Sequence, residues 1–72
     1  MNEQSMKYVY MAYLVGKKED LMKEREGLIG GMNSTKELIN AGVLDQVEDL
    51  DEMLLFISSE LLDEVELMEF NQ

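Results

Sequence analysis

The side chains in this sequence that could do chemistry are almost all carboxylates. Glu48, Asp51 and Glu52 fall at i, i+3 and i+4, and Glu60, Asp63 and Glu64 repeat that spacing. On a helix each trio shares one face, and oxygen clusters of this kind suit weak binding of a hard cation such as Mg²⁺. The chain has no His and no Cys. That removes the commonest metal ligand and the side chain best matched to general-base work near neutral pH. Thiolate chemistry, disulfides and zinc sites go with them. The spaced ligands and central Gly of an EF-hand loop are missing, as is the Glu-x-x-His of a di-iron bundle. Gly30-Gly31 is followed by Met-Asn-Ser, with no Lys-Ser/Thr to cradle a nucleotide. Ser34, Ser58 and Ser59 have no His to activate them. We therefore expect no catalytic residue, no metal site, no cofactor and no enzymatic activity.

What remains for the carboxylates is electrostatics, and they are unevenly placed. Residues 1–32 hold five basic and five acidic groups. Residues 33–72 hold Lys36 against eleven carboxylates, which accounts for the whole net charge of −10. Such a chain repels nucleic acid and anionic lipid, so neither is an expected partner. Carboxylates on a rigid helix can instead imitate the phosphate spacing of nucleic acid. Small phage proteins that block restriction or CRISPR proteins resemble this composition. The residues of such a face are Asp45, Glu48, Asp49, Glu52, Glu60, Asp63, Glu64 and Glu66. The alternative use of the same charge is solubility, because acidic side chains keep a Met- and Leu-rich bundle from aggregating.

One short string carries a resemblance. Glu48-Asp-Leu-Asp-Glu-Met-Leu54 resembles the Ser-Gln-Glu-Leu-Asp-x-Leu-Ile signature of the Spo0E-like aspartyl-phosphate phosphatases. The resemblance implies a small helical hairpin acting on response regulators. Asp49-Leu50-Asp51 matches Glu-Leu-Asp, so Asp51 stands where that family has its functional Asp. The similarity covers about seven residues, and Val47-Glu48 stands where the signature has Ser-Gln.

The elements that position these residues follow from periodicity. With 72 residues and no Pro, the chain makes one domain and nothing forbids long helices. Leu14, Leu21 and Leu28 recur every seven residues, with Val15, Met22 and Ile29 one position later. This predicts a helix over about 5–29, capped by Ser5 and closed by Gly30. A competing strand over Lys7–Val15 is suggested by its aromatic and β-branched residues. Ser34-Thr-Lys-Glu37 is a capping box and predicts a short helix within 33–42 that ends at Gly42. Val47, Leu50, Leu54, Ile57, Leu61, Val65 and Met68, spaced three or four apart, predict a helix over about 46–70 with Asp45 as its cap. Two long helices of matched length and a short connector predict an antiparallel hairpin, with residue i opposite roughly residue 75 − i.

A hairpin cannot bury everything this sequence offers. Tyr8–Val15 and Met53–Ile57 are apolar on every side of their helices, whereas a hairpin covers one stripe per helix. The surplus marks an interaction surface, with Tyr10, Tyr13, Met53, Leu55 and Phe56 its candidate residues. Three occupants are compatible with the pattern: a second copy completing a dimeric four-helix bundle, a different protein, or the short helix folded over the stripe. The longest unbroken apolar run, Tyr8–Val15, is eight residues, far short of the roughly 20 that span a bilayer. The expectation is an all-α, dimeric, cytoplasmic, acidic regulator or inhibitor that acts by binding protein. A nucleic-acid mimic and an aspartyl-phosphate phosphatase are the alternatives.

Overall fold

The computed structural model describes residues 3–70, and side chains within 5–67. The described residues are all-α. Helix α1 runs over Glu3–Ile29, α2 over Thr35–Ala41 and α3 over Leu44–Phe70. The aromatic segment Lys7–Val15 lies wholly within α1, and no strand occurs among the described residues. A lone strand would leave its backbone groups unpaired, whereas a helix satisfies them within the segment.

The boundaries show which local signals operate. At Gly30 the backbone turns left-handed, φ 55°, and its N–H donates to the Glu26 carbonyl at 2.9 Å. The capping box forms at α2: the Glu37 N–H donates to Ser34 Oγ at 3.2 Å. The Glu37 carboxylate reaches one residue further back than the usual box, accepting from the Asn33 N–H at 2.9 Å. Gly42, φ 75°, closes α2 with a Schellman pair, Gly42 N–H to Ile39 at 3.0 Å and Val43 N–H to Leu38 at 3.1 Å.

Two expected caps are corrected. Helix α1 begins at Glu3, which places Ser5 inside its first turn. Helix α3 begins at Leu44, so Asp45 also lies inside a first turn. There its carboxylate faces the positive end of the helix dipole instead of capping it. The reason at α3 is local: the tight exit from α2 carries straight on, and the Val43 carbonyl already accepts from the Val47 N–H at 3.0 Å.

Helices α1 and α3 pack side by side and run antiparallel. Tyr10 meets Glu60 and Arg25 meets Asp51, so contacts climb one helix as they descend the other. The facing rule expected from sequence places Arg25 opposite 50, one residue from its partner, but Tyr10 opposite 65, five residues beyond Glu60. The core between them is thin. Leu14, Leu21, Leu50 and Ile57 are buried as one cluster, with Leu28, Leu54 and Leu61 packed against it, and Val47 is buried nearby. The seam read from sequence is therefore the buried line as far as Leu61. Val65 is exposed, and the side chain of Met68 lies outside the described residues.

Helix α2 packs mainly against α3. None of its residues is buried, and Ile39 is exposed. The idea that it folds over the apolar stripe is thus corrected. A seven-residue helix held at both ends by tight turns is too short to reach along α1. The molecule is a rod, 50 × 20 × 16 Å.

Candidate protein-binding surfaces

Helical geometry, at about 100° per residue, sorts the outward side chains of the two packed helices into two sides and a back. On one side an open groove of about 460 Å³ runs between α1 and α3. Tyr10, Tyr13 and Lys17 line it from α1, and Glu52, Met53 and Phe56 from α3, with Leu14, Leu21 and Ile57 at its floor. Its wall is apolar apart from Lys17 and Glu52. Four of the five apolar candidates, Tyr10, Tyr13, Met53 and Phe56, therefore converge. Tyr13 and Phe56 are 63% and 65% exposed, values that would be costly for unsupported aromatic surface in water.

The opposite side is more polar. Lys18, Met22, Arg25, Glu26, Asp51 and Leu54 line a smaller groove of about 300 Å³ there. Arg25 Nε donates to Asp51 Oδ1 at 2.5 Å. Leu55, the fifth apolar candidate, falls on this side of α3 and not with the other four. It is 70% exposed, and Leu62, seven residues on, is exposed beside it.

The eight acidic candidates do not form one continuous face. Asp45, Glu48, Asp63 and Glu66 point away from α1 and are exposed. Asp49 is exposed on the groove side, and Glu52 stands at the rim of the groove. Glu60 and Glu64 are half-buried beside α1. There Glu60 accepts a hydrogen bond from the Tyr10 hydroxyl at 3.2 Å. Leu55, Phe56 and Leu62 interrupt the acidic series midway along α3. None of the eight is in an ion pair among the described residues, where Arg25–Asp51 is the one pair formed. The surface charge is therefore left uncompensated by the protein itself.

The Tyr10 hydroxyl is held above its ordinary value of 10.0. Desolvation against α3 contributes most, followed by the negative charge of Glu60 and the bond to it, then by Glu64 and Tyr13. The two carboxylate trios do not gather into a cation site. No group of three or more potential ligands is found among the described residues, and Asp51 turns away from its trio to bind Arg25.

Lys17, Lys18 and Arg25 are the surface residues that the acid-centred reading of the sequence passed over. Their signal was present: Lys17 follows Tyr10 by seven and Tyr13 by four, which sets it on the same helical side as both. No helix among the described residues is long and apolar enough to cross a membrane. No family model, curated protein or solved structure matches this chain.

Proposed function

We propose that this protein is a small non-enzymatic regulator or inhibitor, cytoplasmic, that acts by binding another protein through its helical surfaces. Its working form is a helical hairpin paired into a dimeric four-helix bundle. The observation that supports this reading is the exposed apolar surface: Leu55, Phe56, Tyr13 and Leu62 are each more than half exposed on rigid helices. Apolar area of that size in contiguous stripes is the usual mark of a protein-binding site. The test is capture of partners from the native host with the wild type and with Leu55→Asp. Leu55 is 70% exposed and not a member of the core cluster, so helicity by circular dichroism stays unchanged while the partner is lost. Equal capture by both proteins sinks the assignment to this surface.

The uncompensated carboxylates favour a second reading, a nucleic-acid mimic that blocks a DNA- or RNA-binding protein. The residues best placed for it are Asp45, Glu48, Asp63 and Glu66, which face outward. Reversing those four to Lys moves the net charge from −10 to −2 without touching the groove or Tyr10. Mimicry then fails, and binding of the wild type falls steeply with added salt. Apolar docking is indifferent to both changes.

Asp51 supports a third reading, the phosphatase that its local resemblance implies. Its carboxylate is exposed on α3 and held by Arg25. Release of phosphate from a phosphorylated response regulator, abolished by Asp51→Asn, is the outcome that reading requires.

A further inference from the structure

We infer that the Tyr10–Phe56 groove is filled by the same groove of a second copy, about a two-fold axis parallel to the helices. In that arrangement α1 of each protomer lies on α3 of its partner. This deepens the proposed bundle and rests on the reading of the protein as one that works through helical surfaces.

Area is the first argument. A compact protein of 8.3 kDa exposes about 4,600 Å² by the usual scaling, whereas this chain exposes 5594 Å². The surplus of about 1,000 Å² is close to the roughly 800 Å² that each partner contributes to a standard stable interface. Shape agrees: the radius of gyration is 16.1 Å, against about 11 Å for a compact chain of this length. Doubling the rod across its groove restores ordinary thickness and covers the apolar wall.

Charge decides the symmetry. Helix α1 carries five basic and five acidic groups and is neutral; α3 carries ten carboxylates and no basic group. An axis perpendicular to the helices sets α3 against the partner's α3, polyanion on polyanion. The parallel axis sets each α3 against a neutral α1 and keeps the two α3 helices on the diagonal. It also brings like heights together. Lys17 and Glu52, the two charged residues of the groove wall, form no ion pair with one another or with any other of the described residues of the protomer. Across this axis Lys17 of one protomer meets Glu52 of its partner, twice per dimer. The opposite side, with Leu55, Leu62 and the Arg25–Asp51 pair, stays open for a different protein.

Sedimentation of the purified protein from about 1 to 100 μM tests the occupant: a dimer is expected, and a monomer throughout overturns the inference while leaving hetero-partner binding untouched. Phe56→Asp is expected to be a helical monomer, because Phe56 is exposed and its loss costs the core nothing. Charge swaps test the symmetry. Lys17→Glu and Glu52→Lys alone each weaken the dimer about tenfold, since two like-charge contacts replace two pairs, and the double variant restores it. Single variants that dimerise as wild type, or a double variant no better than the singles, overturn the parallel axis. Because the chain has no Cys, a mixture of K17C and E52C chains gives an independent check. The mixed disulfide is expected, whereas K17C chains that cross-link with one another point to the perpendicular axis.

Discussion

At the residue scale, most of the surface chemistry is loose, and two contacts show how little each contributes. The Arg25–Asp51 pair is 37% and 50% exposed, so solvent screens it and the two side chains lose freedom in forming it. Arg25→Ala should cost under about 1 kcal/mol. Leu21→Ala, which opens a hole in a four-residue cluster, should cost about 2–5 kcal/mol and leave the isolated chain largely unfolded in a urea titration. Comparable losses from the two variants would mean that electrostatics carries more of the fold than burial does. The Tyr10–Glu60 bond makes a sharper prediction. The folded state holds the Tyr10 proton more tightly than the unfolded one, because desolvation, Glu60 and Glu64 disfavour the phenolate. The stabilisation is therefore complete below the unfolded value of 10.0 and is lost as pH rises through the higher folded value. With Tyr8 and Tyr13 replaced by Phe, absorbance reports Tyr10 alone, since the chain has three Tyr. Glu60→Gln should lower that midpoint and flatten the fall of stability above about pH 10. An unmoved midpoint would show that Glu60 does not face Tyr10 in solution.

At the scale of elements, the chain's turns are set by glycine and its long helices by tertiary contact. Gly42 sits at φ 75° with nothing within 4 Å of where a Cβ would be. A substitution there meets no clash, only the cost of a left-handed backbone. Gly42→Ala should destabilise by about 1 kcal/mol. Gly16, inside α1, also has open space around it and no positive φ. Gly16→Ala should therefore stabilise by about 0.5–1 kcal/mol through helix propensity. Thermal melts of the two variants should move in opposite directions, and movement in the same direction would show either that α2 does not end at Gly42 or that α1 is not helical through Gly16. The same reasoning explains why α2 was legible from Ser34 and Glu37, whose bonds are local. The starts of α1 and α3 were not, because Ser5 and Asp45 were read as caps where the helix begins a residue or two earlier.

At the scale of the whole molecule, one helix carries the entire net charge of −10. A folded rod holds those carboxylates closer together than an unfolded chain does, so self-repulsion opposes folding and assembly. Raising salt from about 10 to 150 mM shortens the Debye length from roughly 30 to 8 Å and should raise the melting temperature. A melting temperature that falls with salt would mean that attractive pairs such as Arg25–Asp51 outweigh repulsion.

By itself the sequence pointed to the all-α class, with a strand over Lys7–Val15 excluded only by the structure, and determined the two turns at Gly30 and Gly42 and the leucine line that becomes the core. Each of these depends on spacing of three, four or seven residues along one chain, which a helix converts directly into a shared face. It also showed that apolar residues exceed what two helices can bury. Only the tertiary structure decided how that surplus and the acid are divided. Rotation of α3 about its own axis sends Met53 and Phe56 to one side with Tyr10, Tyr13 and Lys17, and Leu55 to the other. The same rotation tucks Glu60 and Glu64 against α1 while Asp45, Glu48, Asp63 and Glu66 face outward. Which charges become neighbours depends on the register and rotation of packed helices. Those are fixed by contacts between residues some 26 to 50 positions apart, which no local spacing encodes.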